Sequence, residues 1–292
     1  MPPTILNSII NYIEVTKPKV WFLLLFTAFG AFIVASEGFI PYDRLLLMII
    51  AVTLGSAGAN TLTNYIDRDI DSVMNRTRLR PLPSKRIYPA IKALYFGITL
   101  VILSFITSYI LSPLILILMI LGIFDNVIIY SKIFKRRNPI NIIVGGFSGG
   151  IPTLIGYSAV KGVIDIISLI MAALVVLWIP THIWSLAIRY KDDYKIAKVP
   201  MLPVVVSEKV AIRCLGSTSL LMVIFSILPY LLNIFSTIYL IMALILGGLT
   251  LLLSLQLFIK PTKERAWILF KFSSPYLALI FIAMMIDTLL FK

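Results

Sequence analysis

Charge is scarce in this 292-residue chain. Asp, Glu, Lys and Arg together make up 13% of it, against roughly a quarter in soluble globular proteins, which excludes an ordinary soluble fold. Cysteine is nearly absent, and the lone Cys214 excludes an intramolecular disulfide. Histidine is equally rare, His182 being the one copy. No Ser/His/Asp nucleophile set and no Walker-type phosphate loop is visible. Residues 1–16 lack a cationic start and a continuous apolar core, so they do not read as a cleaved signal peptide. Acidic residues number 13 against 26 basic ones.

Apolar residues take the space that charge leaves, at 60% of the chain. They fall into nine runs near 20–38, 44–63, 89–109, 113–131, 140–160, 165–188, 210–232, 235–257 and 267–290. Each is long enough to cross a hydrocarbon core ~30 Å thick. The expected fold is all-α: a polytopic membrane bundle of about nine transmembrane helices, with a central cavity opening to the cytoplasmic side. Residues 1–292 read as one integral-membrane domain, because no loop has room for a separate soluble one.

The formal net charge of +13 would suit a nucleic-acid partner if it were spread over a surface. It is not. With a cytoplasmic N-terminus, all Lys and Arg except Arg44, Lys161 and Lys292 collect on the cytoplasmic side, the asymmetry that orients membrane proteins. A transporter would place ionisable residues near the midplane, often in repeated halves. Here the acids gather at one face, and no internal repeat is visible.

The densest polar cluster follows the second run. Asn60, Asn64, Asp67 and Asp71 are spaced by four, three and four, which puts them on one face of a helix, with Asp69 pointing elsewhere. Two carboxylates one turn apart repel unless a cation lies between them, and Mg²⁺ with oxygen ligands is the usual solution, often shared with substrate phosphates. Arg68, Arg76, Arg78, Arg80, Lys85 and Arg86 follow at once, and arginine forks match phosphate oxygens. A solvated basic loop is the competing reading.

The other clusters are smaller. Lys17 and Lys19 open the first span, as topology anchors that snorkel to headgroups or as phosphate contacts. Asp125 and Asn126 lie within the fourth span, where an acid marks function by default, although a structural aspartate satisfies the pattern equally. Lys132, Lys135, Arg136 and Arg137 form a second basic loop with Tyr130 before it and Asn141 after it. Gly145, Gly146, Gly149, Gly150 and Pro152 then provide either close helix packing or room for a flat ligand. A second acidic site, Asp192 and Asp193, ends the sixth span; Arg189 and Asp193, one turn apart, are placed to pair. The last three spans are almost purely apolar, and Asp287 receives no role. The chemistry is expected in the first two-thirds of the chain. Its best-suited substrate has a diphosphate head and an apolar tail.

The stretch from Asn64 to Leu82 resembles the first aspartate-rich motif of the intramembrane aromatic prenyltransferases. Thr16–Val20, the Lys135-Arg136-Arg137-Asn138-Pro139 run with Asn141, Pro180-Thr181-His182, and Asp193-Tyr194 followed by Pro200–Pro203 are similar to the protohaem IX farnesyltransferase (haem O synthase) branch. The superfamily often has asparagine where this chain has Thr63, so the bet falls on Asn64, with Asn60 second. Ala197 stands where the quinone-making branch has a further acid, which favours haem over a quinone precursor or a prenylglyceryl phosphate as acceptor. The resemblance implies that Asp67, Asp71 and Asp193, with Asn64 and Asp192, hold Mg²⁺ on farnesyl diphosphate. It implies that Lys17, Asn64, Arg76, Arg80, Lys132, Arg136 and Arg137 hold the diphosphate, and that His182, Tyr130 and Asn141 face the protohaem IX acceptor. A haem-oxidising membrane enzyme is the implied downstream partner.

Overall fold

The computed structural model describes residues 5–291; residues 1–4 and Lys292 lie outside the described part. A short helix α1 (Ile5–Val15) precedes the first span, α2 (Pro18–Ser36). The second span α3 (Tyr42–Ile66) is followed directly by α4 (Arg68–Val73), and the third is α5 (Ile91–Leu111). The fourth is α6 (Pro113–Phe124), continued by a π-helix over Asp125–Phe134; the fifth is α7 (Asn141–Gly145) with α8 (Phe147–Lys161). The sixth, α9 (Ile166–Arg189), leads into α10 (Lys191–Ile196) and α11 (Leu202–Val205), and α12 (Glu208–Leu231), α13 (Thr237–Ile259) and α14 (Lys263–Phe291) complete the bundle. Among the described residues nine helical segments are long and apolar enough to cross a bilayer. The protein is a multi-pass membrane protein.

Local chemistry explains the boundaries. Leu111 and Pro113 sit in different helices because Ser112 is extended (φ −173°), caps the next turn by accepting from Ile115 N at 3.2 Å, and hands the N1 position to proline. Asp165 opens α9 with a reciprocal cap: Ser168 N donates to Asp165 Oδ1 at 2.9 Å and Asp165 N donates to Ser168 Oγ at 3.0 Å. Outward faces carry exposed Ile102, Ile106, Leu252, Leu255 and Ile286, as lipid contact requires.

α3 packs chiefly on α5, and α2 on α8. The second pairing is backbone against backbone: a Cβ at Gly156 would lie 1.9 Å from Ala28 O. Gly150 likewise meets Ala172 O, and Gly149 leaves room for the Ile179 side chain. The glycine run does both things expected of it, since Gly145 and Gly149 also line the central cavity. Asp125 binds the same span, its Oδ2 accepting from Ser148 N at 2.9 Å. Buried Asp287 accepts from Ser236 N at 3.0 Å and ties the loop before α13 to α14.

Candidate active site

The helix of the first acidic motif breaks at its first aspartate. α3 ends at Ile66, Asp67 takes φ −89° and ψ 4°, and α4 begins at Arg68. The hydrogen-bond ladder barely notices, since Asp67 N donates to Thr63 O at 2.9 Å and Asp71 N to Asp67 O at 2.8 Å. Asn60, Thr63, Asp67 and Asp71 therefore stay on one side and line a cavity of about 520 Å³. Asn64 does not join them. One residue turns an α-helix by about 100°, and Asn64, next to Thr63, points to α1, where its Nδ2 donates to Val15 O at 2.6 Å. Sequence spacing alone could not separate positions 63 and 64, which lie four and three residues before Asp67.

Both buried carboxylates meet a cation. Arg80 Nη1 donates to Asp71 Oδ2 at 2.8 Å, and Lys135 Nζ pairs with Asp67 Oδ2. Lys135, rather than the exposed Lys132, lines the cavity. The π-helix is the reason: Lys135 N donates to Tyr130 O at 2.8 Å, a five-residue step, and this brings Lys135 Nζ over the Tyr130 ring, 5.8 Å from its centroid. Gly145 makes room for that ring, since a Cβ there would lie 2.6 Å from Tyr130 Cδ2. Arg136 is used elsewhere, gripping Asp69 through two 2.7 Å bonds. This contact holds the Asp69 carboxyl below its usual range. Arg137 is exposed.

Lys17 stands beside the carboxylates in a left-handed conformation (φ 55°), its Nζ donating to Thr63 Oγ1 at 3.3 Å. Burial, then the neighbouring Arg80 and Lys135, push its ammonium down to about 7 against the pull of Asp71 and Asp67. Burial also works against the charge on Lys135, but the surrounding anions, Asp67 foremost, outweigh it and hold that ammonium above its ordinary range.

The second acidic motif splits. Asp193 is buried, and its Oδ2 accepts from Arg76 N at 3.0 Å; it does not line the cavity but anchors the backbone of Arg76, which does. Asp192 is 69% exposed and pairs with Lys263 at 2.6 Å. Arg189 reaches Glu264 at 3.2 Å instead of Asp193. Asn141 is fully buried without lining the cavity.

Deeper in the spans the cavity wall is apolar and aromatic, with Met119, Ile151, Ile155, Trp178, His182 and Phe270. The last three spans are not outside the chemistry, because α14 supplies Phe270 and Ser274 to this wall. Their apolar composition gave no signal of it.

The chain matches the UbiA prenyltransferase family over residues 23–282. It belongs to that family. A protein named protoheme IX farnesyltransferase from Desulforudis audaxviator (strain MP104C) is 46% identical over 278 residues, 94% of this chain and 87% of that protein. One of the same name from Thermoplasma volcanium is 45% identical over 94% of this chain and 96% of its own length. A solved structure described as digeranylgeranylglyceryl phosphate synthase in membranes shares the fold with a TM-score of 0.80 at 24% identity, covering 97% of this chain and 99% of that one. A UbiA homologue from Archaeoglobus fulgidus bound to DMAPP and Mg²⁺ does so with a TM-score of 0.71 at 16% identity, covering 97% and 100%. This UbiA-family chain is a prenyltransferase.

The donor set suits a hard divalent cation. No trio of His, Cys, Asp or Glu gathers among the described residues, so the protein alone does not form a cage. Asp67 Oδ1, however, is buried and has no hydrogen-bond partner, and Asp71 lines the same cavity. One or two carboxylates completed by phosphate oxygens are the habitual Mg²⁺ arrangement.

Proposed function

We propose that this prenyltransferase transfers the farnesyl group of farnesyl diphosphate to a vinyl group of protohaem IX, giving haem O. The observation that carries the reading is one continuous cavity, polar and cationic around Asp67 and Asp71 and aromatic around His182. The relatives of 45–46% identity that bear the protoheme IX farnesyltransferase name support it. Asp67 and Asp71 would hold Mg²⁺, with Asp193 fixing the loop beside them. Bound there, Mg²⁺ would neutralise charge developing on the leaving diphosphate. Arg76, Arg80, Lys17 and Lys135 line the same end of the cavity and would face that anion, and fixed cations stabilise a leaving group as its charge grows. Losing one such contact costs about 3–4 kcal/mol of barrier.

The chain's remaining task is to keep the allylic cation from water until the vinyl group attacks it. Met119, Ile151 and Ile155 form a dry wall for the prenyl tail. Trp178 and Phe270 supply aromatic surface around a porphyrin. We place the chain in the cell membrane as one prenyltransferase domain, 1–292, with the acidic motifs cytoplasmic and the product passed on to a haem-oxidising enzyme.

The test is incubation of the purified protein with protohaem IX, farnesyl diphosphate and Mg²⁺, followed by mass analysis. Haem O is expected. Its absence, with prenylation of an aromatic acid instead, would overturn the assignment.

A further inference from the structure

The one histidine of the chain is prepared on one of its two nitrogens. His182 lines the cavity with its ring stacked between Trp178 (centroids 4.4 Å apart, planes at 24°) and Phe270 (4.3 Å, 30°). Its Nδ1 lies 2.7 Å from Ser273 Oγ. That hydroxyl has a single proton, already donated to Phe270 O at 2.7 Å. Ser273 can therefore only accept from the ring, so Nδ1 carries the proton and Nε2 keeps the lone pair. Nε2 has no hydrogen-bond partner among the described residues. An imidazole with Nδ1–H tied to an oxygen and Nε2 bare in a cavity is oriented as metal-bound histidines are.

One histidine is too few for a zinc-type site, which takes three or four protein ligands, and no group of three or more His, Cys, Asp or Glu gathers among the described residues. A lone imidazole suffices for a metal that brings its own equatorial nitrogens, as haem iron does. We propose that His182 Nε2 is an axial ligand to the iron of the tetrapyrrole acceptor, and that Ser273 is the positioning residue that fixes the tautomer. This rests on the acceptor assignment above. Ligation would set the macrocycle at one fixed place relative to Asp67 and Asp71, so that the vinyl carbon, rather than the ring at large, meets the prenyl group.

Because His182 is the sole histidine, labelling untagged protein with ¹⁵N-histidine marks this residue alone. The protein is loaded with protohaem, reduced and exposed to nitric oxide. The expected electron paramagnetic resonance spectrum changes its ligand splitting from triplet to doublet on labelling; an unchanged spectrum overturns the proposal without any variant. In titrations, His182→Ala is expected to weaken protohaem binding about tenfold or more while leaving metal-free protoporphyrin IX within about twofold. An equal loss for both overturns ligation and leaves His182 a packing residue. Ser273→Ala should shift the ligand splitting and spare metal-free binding; an unmoved splitting removes its positioning role. Wild-type protein that takes up neither porphyrin would defeat the acceptor assignment itself, whereas label-insensitive binding defeats ligation alone.

Discussion

Arg76 N donates to Asp193 Oδ2 at 3.0 Å, joining positions 117 apart in sequence. This bond ties the loop after the first acidic motif to the helix of the second, and the Arg76 side chain lies over the Tyr190 ring, 5.4 Å from its centroid. Removing a partner from a hydrogen bond to a charged group costs about 1.5–3 kcal/mol. Asp193→Ala is therefore expected to lower kcat/KM for the prenyl diphosphate about 10- to 100-fold. Asp193→Asn, whose amide oxygen can still accept, should lose less. Steady-state kinetics of the two variants would show it, and equal losses would exclude the anchoring role.

The buried pair Lys135–Asp67 calls for a double-mutant cycle. Breaking a buried pair from one side leaves an uncompensated charge, at a cost of about 3–5 kcal/mol. Lys135→Met and Asp67→Asn should each lower the melting temperature in detergent, while the double variant recovers part of that loss without regaining turnover. Asp67→Asn should still insert into membranes. Additive losses in the double variant would show that the two side chains do not act as a pair, and full activity in Asp67→Asn would exclude the metal-binding role.

Lys17 gives a pH dependence of definite sign. Its ammonium is lowered from 10.5 to about 7, by burial first and then by Arg80 and Lys135. The free enzyme loses this positive charge as pH rises through about 7, and with it one attraction for a diphosphate. The KM for the prenyl donor should rise from pH 7 to 9. Lys17→Arg, charged throughout, should flatten the profile, and Lys17→Met should flatten it at the higher KM. For stability the sign is opposite: the unfolded chain keeps the proton up to 10.5, so Lys17 costs stability below pH 7 and the cost fades between 7 and 10.5. A wild-type KM flat across the range would refute the assignment.

Gly156→Ala tests the frame that positions the site. Its Cβ would meet Ala28 O at 1.9 Å and Ala28 C at 2.6 Å, both backbone atoms. α2 and α8 must separate, at a cost of about 1–3 kcal/mol or more. A lower melting temperature and yield are expected, whereas Gly248→Ala, with nothing within 4 Å of its Cβ, should behave as wild type.

The nine spans were legible from run length, and the shared face of Asp67 and Asp71 from local spacing. The misplacements came from phase and direction. Asn64 and Thr63 both fit helical steps from Asp67, and only the packing of α1 decides that Asn64 turns to Val15. Lys132 and Lys135 were separated by a π-helix, which changes the residue step without announcing itself in composition. Arg136 and Asp192 were claimed by Asp69 and Lys263, partners distant in sequence. Phe270 and Ser273 came from an apolar helix whose chemical use depends on what faces it.

The cavity mouth carries its own counter-ions. Lys17, Lys19, Arg76, Arg80 and Lys135 line it against Asp67 and Asp71, five formal positive charges to two negative. Such a mouth attracts a diphosphate ester on arrival, and inorganic diphosphate, once the prenyl group has left it, inherits the same attraction. The uphill event of the cycle would then be letting go. Inorganic diphosphate should inhibit competitively with the prenyl donor, and more weakly in Arg80→Met. A pre-steady-state burst of haem O followed by slower turnover would reveal that delay.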